Sequence, residues 1–175
     1  LAREHLGVCF DCCHQAVMGE DLPRALARLR AAGVVVGKVH VSSAPEGEVS
    51  ALARLAEPRY LHQVVAEDGR RADDLEAIAG DPAWQAARAR CHFHVPIYED
   101  HFGPGIATTR RALEAALAEV LSWERPPGLE VETYTWSVLP GPPPDLAAGI
   151  AREIRWARAR IEAAATGGAE APSKE

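Results

Sequence analysis

Gly7-Val8-Cys9-Phe10-Asp11-Cys12-Cys13-His14 reads as a short apolar strand that ends in an acid, with a histidine three residues on. Strand side chains alternate with a period of two, so Cys9 and Asp11 face away from Val8 and Phe10. The same split recurs downstream. Lys38, His40 and Ser42 share one parity, and Val39 and Val41 take the other. His92 and His94 stand against Phe93 and Val95, and Glu130, Glu132 and Tyr134 against Val131 and Thr133. A parallel strand covered on both faces is apolar on both. These strands each carry a polar row, which belongs in a lumen or crevice while the apolar row meets helices.

Between the strands the chain alternates with helical signals. Asp21 caps a helix with Pro23 in its first turn, and Gly33 stops it. Val34 to Val41 is the second strand. Glu46 to Ala56 is expected to be helical, Arg59 to Ala66 a short strand or hairpin arm, and Glu67 to Asp81 loop plus a helical turn. Pro82 to Ala89 reads as a helix carrying Trp84, and Cys91 to Tyr98 as the third strand. Thr108 to Trp123 is an amphipathic helix, Leu129 to Trp136 the fourth strand, and Asp145 to Ala165 a last helix after a stiff Pro140–Pro144 turn. Strand–helix alternation predicts an α/β protein of parallel βα repeats. Residues 1–165 form one domain, and 166–175 are expected to be a disordered tail.

The 175 residues suffice for a real core, and 47% hydrophobic with 25% charged composition is globular. A net charge of −6 is opposite to the basic footprint of a nucleic-acid binder, so no nucleic-acid partner is expected. No apolar run spans a bilayer, so no transmembrane segment is expected. Four cysteines, two of them adjacent, suit reduced thiols and a cytoplasmic protein. The chain begins at Leu1 and its single Met is Met18, which suggests a trimmed or partial chain.

Asp11, His40, His94 and Glu132 at the C-terminal strand ends would converge where α/β folds place their sites. Oxygen and imidazole are what a borderline divalent ion accepts, and the same set suits general acid/base work. Asp11 has a second reading as a turn cap, His40 and His94 as satisfied core histidines, His14 as a helix-start residue and His62 as a loop residue. Glu132 is the hardest to explain as packing, because Glu is rarely buried unpaired. Glu130 is read as a structural partner for Lys38 or for an arginine at the far end. Cys9-x-x-Cys12 and Cys91-x-x-His94 have the spacing of a Cys₃His zinc site, but Cys9 and Cys91 sit inside apolar strands rather than in knuckle turns. The arginines of the last helix read as a solvated face.

Gly7–His14 with Ala16 and Gly19-Glu20-Asp21 resembles the fifth strand of xylose isomerase-like TIM barrels. Lys38-Val39-His40-Val41-Ser42-Ser43 is similar to their sixth strand, and Leu129-Glu130-Val131-Glu132-Thr133 to their eighth. Tyr60-Leu61-His62-Gln63-Val64-Val65, His92-Phe93-His94-Val95-Pro96 and Glu130 to Trp136 bring the resemblance closest to the EboE family of metabolite-traffic proteins. The resemblance implies the C-terminal half of a (β/α)₈ barrel, units five to eight, with the first four units absent. It implies a divalent metal ion (Zn, Mn or Mg) held by Asp11, His40 and Glu132. His14 would be a further ligand, as in the endonuclease IV-type members, or a substrate contact, as in the epimerases. Glu132 and His14 are the catalytic candidates, and His62, His94 and Lys38 the substrate contacts. The implied activity is isomerase- or epimerase-like chemistry on a small sugar- or polyol-like metabolite. A non-catalytic metabolite-binding module and a phosphodiester nuclease are the competing readings. A missing N-terminal half-barrel, or a second copy of the chain, is the expected protein partner.

Overall fold

In the computed structural model, which describes residues 5–140 and 145–167, the Gly7–His14 stretch is a strand running directly into a helix. β1 (Val8–Asp11) ends where α1 (Cys12–Val17) begins, and the Asp11 side chain accepts from the His14 N–H as the helix N-cap. The cap satisfies one of the donors that a first helical turn leaves open. The next helix, α2 (Leu22–Ala31), is capped the same way: Asp21 accepts from the Arg24 N–H, and proline sits in the first turn. Gly33, at φ 70°, ends it in the left-handed region.

β2 (Val36–Val41) lies parallel between β1 and β8 (Gly128–Val131). Register places Asp11 beside His40 and Val41 beside Val131. The apolar row forms a core as the parity pattern requires. Phe10, Val39 and Val41 are buried with Leu22 and Leu26 of α2, with Leu113, Leu117 and Val120 of α5 (Arg110–Leu121), and with Ala157 of α6 (Leu146–Gly167). The polar row faces away from these helices. Its outer members, Lys38 and Glu130, pair at 2.8 Å where both are well exposed.

A second, antiparallel sheet packs against the C-terminal ends of the first. It contains β3 (Pro45–Glu48), β4 (Val64–Ala66), β5 (Arg71–Ala72), β6 (Arg88–Cys91) and β7 (Ile106–Thr108), in the order β5-β4-β6-β3-β7. Val49, Leu52, Val64, Leu75, Phe93 and Val95 are among its buried core. The β4–β5 hairpin and the short helix α4 (Leu75–Ile78) fall where a hairpin arm and a helical turn are expected.

Three expectations are corrected here. Glu46–Ala56 is not one helix: Pro45–Glu48 is a strand, and only Val49–Leu52 (α3) and a 3₁₀ turn at Ala53–Leu55 are helical. β3 is the central partner of both β6 and β7, so pairing on two sides overrides local helix preference. Pro82–Ala89 is not a helix: successive turns, closed by Trp84 N–H to Asp81 O and Ala87 N–H to Trp84 O, lead into β6 at Arg88. Cys91–Tyr98 is not a third parallel strand. Only Arg88–Cys91 is β-structure, and it is antiparallel. The following segment crosses between the sheets, sending Phe93 and Val95 into one core and Ile97 into the other.

The described residues therefore form a mixed α/β fold with a three-stranded parallel sheet rather than four sequential βα repeats. The fourth predicted strand stops at Val131, and Tyr134–Ser137 is a 3₁₀ turn. α6 covers the predicted last helix. Residues 141–144 of the predicted turn and 168–175 of the predicted tail lie outside the described residues. No helix among the described residues is long and apolar enough to cross a membrane.

Candidate metal centre

Asp11, His40 and Glu132 come together at the C-terminal ends of the three parallel strands. One ligand atom from each falls within a common span of 4.8 Å. Asp11 serves two purposes at once. Oδ1 accepts from the His14 N–H at 2.9 Å and from Ser42 Oγ at 3.1 Å, which fixes the carboxylate plane. Oδ2 faces two imidazoles, His14 Nδ1 and His40 Nδ1, each at 3.1 Å. The cap reading of Asp11 is thus realised through Oδ1, while Oδ2 is turned to the two histidines. Burial works against the Asp11 carboxylate, but hydrogen bonds from the His14 side chain and backbone and from His40 outweigh it and hold the pKa well below the usual carboxylate range. The hydrogen bond to Asp11 in turn raises His14 above the ordinary histidine value.

Glu132 reaches in from just beyond β8. Its Oε2 lies 3.3 Å from His40 Nδ1 and 3.6 Å from His94 Nδ1, yet it makes no well-oriented hydrogen bond. His94 is fully buried. Its Nδ1 sits 2.6 Å from the main-chain oxygen of Glu132. A carbonyl can only accept, so Nδ1 carries the proton and Nε2 is left with a lone pair. The Thr135 hydroxyl donates to the His94 carbonyl and ties the two segments further together.

Five buried side-chain nitrogen or oxygen atoms lack a partner among the described residues, and four of them gather here: His40 Nε2, His92 Nε2, His94 Nε2 and Glu132 Oε2. Unpaired buried polar atoms each cost about 1–3 kcal/mol, so such a concentration marks a place built for something else. Donor chemistry fits a divalent ion. Ligand atoms about 2.1 Å from a tetrahedral ion lie roughly 3.4 Å apart. The 3.1 Å from Asp11 Oδ2 to His40 Nδ1, and the 3.3 Å from that nitrogen to Glu132 Oε2, are close to this spacing.

Sequence reasoning passed over two neighbours. His92 is not among the site residues read from the sequence, yet its ring stacks on His14 at 4.0 Å between centroids, and its Nε2 is without a partner. Burial, with the nearby charges of His14 and His94, lowers its pKa to about 4, so it is neutral at pH 7. Cys13 is completely buried, and its thiol stands within the same 4.8 Å span as His92 and His94. Its main-chain N–H donates to Ser42 Oγ at 2.9 Å. The His-x-His alternation was the available signal for His92. Cys13 gave none, because its position depends on the turn from β1 into α1.

Two predicted substrate contacts lie elsewhere. His62 is fully buried, with Nδ1 3.1 Å from the His92 carbonyl and Nε2 3.0 Å from Glu57 Oε1. Both nitrogens are engaged, so the ring supports the His92 main chain and offers nothing to a ligand. Lys38 is held by Glu130 at the outer end of the polar row, two residues before His40. The spacing-based Cys₃His set is not assembled: Cys9 is exposed, and Cys12 and Cys91 belong to different cores. No family model, no curated protein and no solved structure matches this chain.

Proposed function

We propose that the chain is a divalent-metal-dependent, isomerase- or epimerase-like protein acting on a small sugar- or polyol-like metabolite. The supporting observation is the Asp11–His40–Glu132 group, three donors of suitable type at one sheet end, with His40 Nδ1 between Asp11 Oδ2 and Glu132 Oε2 and with Glu132 Oε2 unpartnered. In this reading the three residues hold the ion. A bound ion would polarise a substrate carbonyl and lower the pKa of an adjacent hydroxyl.

The chain's own residues then divide the remaining work. Glu132 has a second carboxylate oxygen, which moves the proton between adjacent carbons. His14, about half exposed, is oriented by Asp11 and meets the substrate hydroxyls from the open side. His94 locks the Glu132 main chain through Nδ1 and restrains the approach of its side chain. Neutral His92 lines the same wall through its contact with His14.

The fold belongs to the proposal too. We read the parallel sheet as part of a (β/α)₈ barrel of the xylose isomerase-like kind, whose remaining strands come from an N-terminal half or from a second copy. In support, β1 and β8 are edge strands, helices cover one sheet face, and the polar row occupies the other. Leu6, Val34 and Val35 are exposed near the outer end of β1, where further strands would cover them.

Proton transfer between carbons exchanges a substrate hydrogen with solvent. The test is to incubate metal-loaded chain with a panel of ketoses and polyol ketones in D₂O and follow deuterium incorporation by NMR. The proposal expects incorporation that requires the metal and disappears in Glu132→Gln. Tight metabolite binding without exchange would replace it with a metabolite-binding role, and cleavage of abasic DNA would replace it with a nuclease.

A further inference from the structure

The Cys13, His92 and His94 cluster supplies no ligand to the Asp11–His40–Glu132 group, and its chemistry differs. It contains a thiol and two imidazoles and no carboxylate, with one donor atom from each residue inside 4.8 Å. Cys13 and His94 are fully buried. His92 Nε2 and His94 Nε2 are both buried without partners. The Nδ1 proton of His94 is committed to the Glu132 carbonyl, so its free Nε2 is an unprotonated donor. A ring N–H held by a main-chain carbonyl, with the opposite nitrogen free, is the outer arrangement that metal-binding histidines use.

We propose that Cys13, His92 and His94 form a second metal site, for a thiophilic borderline ion of the Zn²⁺ class, directly beside the first. Sulfur with imidazole selects such an ion over Mg²⁺ or Mn²⁺, whereas the carboxylate-rich group next door accepts the harder ions. On binding, the Cys13 Sγ–H bond breaks, sulfur keeps the electron pair and donates it to the metal, and the proton leaves to solvent. Three protein ligands leave a fourth position open, as in zinc sites that carry an exchangeable water. The two sites abut: His94 Nδ1 lies 3.6 Å from Glu132 Oε2, and the His14 ring, paired with Asp11, rests on His92. The inference does not require the isomerase reading.

The experiment titrates the metal-free full chain with Co²⁺ under anaerobic conditions and follows near-ultraviolet and visible absorption. The expected result is two equivalents per chain, one of which brings a thiolate-to-cobalt charge-transfer band. Cys13→Ser removes that band and one equivalent, while Asp11→Asn combined with Glu132→Gln removes the other equivalent and keeps the band. A wild-type chain that binds cobalt without a thiolate band overturns the proposal, as does a band that survives Cys13→Ser. X-ray absorption of zinc-loaded wild-type chain needs no folded variant: a sulfur scatterer at about 2.3 Å is expected, and a shell of nitrogen and oxygen alone refutes the site.

Discussion

Asp11 and His40 are register partners on adjacent parallel strands, and their side chains meet at 3.1 Å on the face opposite the helices. Alternation by two residues and pairing in parallel suffice to create that contact. Glu132 completes the group from beyond the third strand, 3.3 Å from the same His40 nitrogen.

The Asp11–His14 pair makes the metal-free chain sensitive to pH in a defined window. His14 is raised in the folded state, so its contribution is complete below the ordinary 6.5 and is lost as pH climbs through the folded value. Asp11 is depressed, so its contribution is complete above the ordinary 3.8 and is lost as pH falls through the folded value. The stability difference between wild type and Asp11→Asn is therefore largest between these two values. Urea denaturation across pH checks this, and an NMR titration of His14 should show its midpoint fall in the variant.

His62 is predicted to support the fold without taking part in metal binding. His62→Ala leaves the buried His92 carbonyl and the Glu57 carboxylate without their partner, and should cost about 2–3 kcal/mol in urea unfolding. Binding of Mn²⁺ at the Asp11 group should be unchanged wherever the variant is folded.

Glu153 is a buried carboxylate on α6 that accepts from the Ile97 N–H at 3.1 Å and from Thr133 Oγ1 at 2.7 Å. It anchors the residue after Glu132 to the helix layer. Burial raises its pKa, the direction that favours the neutral form. Glu153→Ala should lose about 2 kcal/mol, whereas Glu153→Gln, which keeps an acceptor oxygen without the charge, should stay within about 1 kcal/mol of wild type. Equilibrium unfolding of both variants separates the two effects.

Gly149 admits the indole of Trp136 against α6. A Cβ there would lie 2.5 and 2.6 Å from two ring carbons. Gly→Ala in a helix normally gains about 1 kcal/mol, while overpacking a buried ring costs about 1–3 kcal/mol. The clash is expected to win because Trp136 is buried. Gly149→Ala should lower the melting temperature and shift the tryptophan emission towards the red.

Much of the first sheet was legible in the sequence because its causes are local. Val39 and Val41 alternate with His40 and Ser42, and Asp21, Pro23 and Gly33 mark a helix's start and end. The second sheet was not legible. Pro45–Glu48 is a strand only because β6 and β7 flank it, and nothing in its own residues records those partners. Alternation at Phe93 and Val95 marks the two side chains that enter the second core, but it carries no information about strand direction, and it does not register that His94 between them is buried as well. The segment instead crosses between the sheets, with Phe93 and Val95 in one core and Ile97 in the other. His62 failed for the opposite reason: a buried histidine with both nitrogens engaged looks, in sequence, like one that waits for a ligand.

The central claim is that Asp11, His40 and Glu132 hold a divalent ion. Mn²⁺ titration of the metal-free chain, read by electron paramagnetic resonance, addresses it most directly, because manganese favours oxygen donors over the thiol of Cys13. The account predicts one tightly bound Mn²⁺ per chain, and its loss in Asp11→Asn and in Glu132→Gln variants that remain folded. A wild-type chain that leaves Mn²⁺ free in solution, or folded variants that bind it as tightly as wild type, would contradict the account.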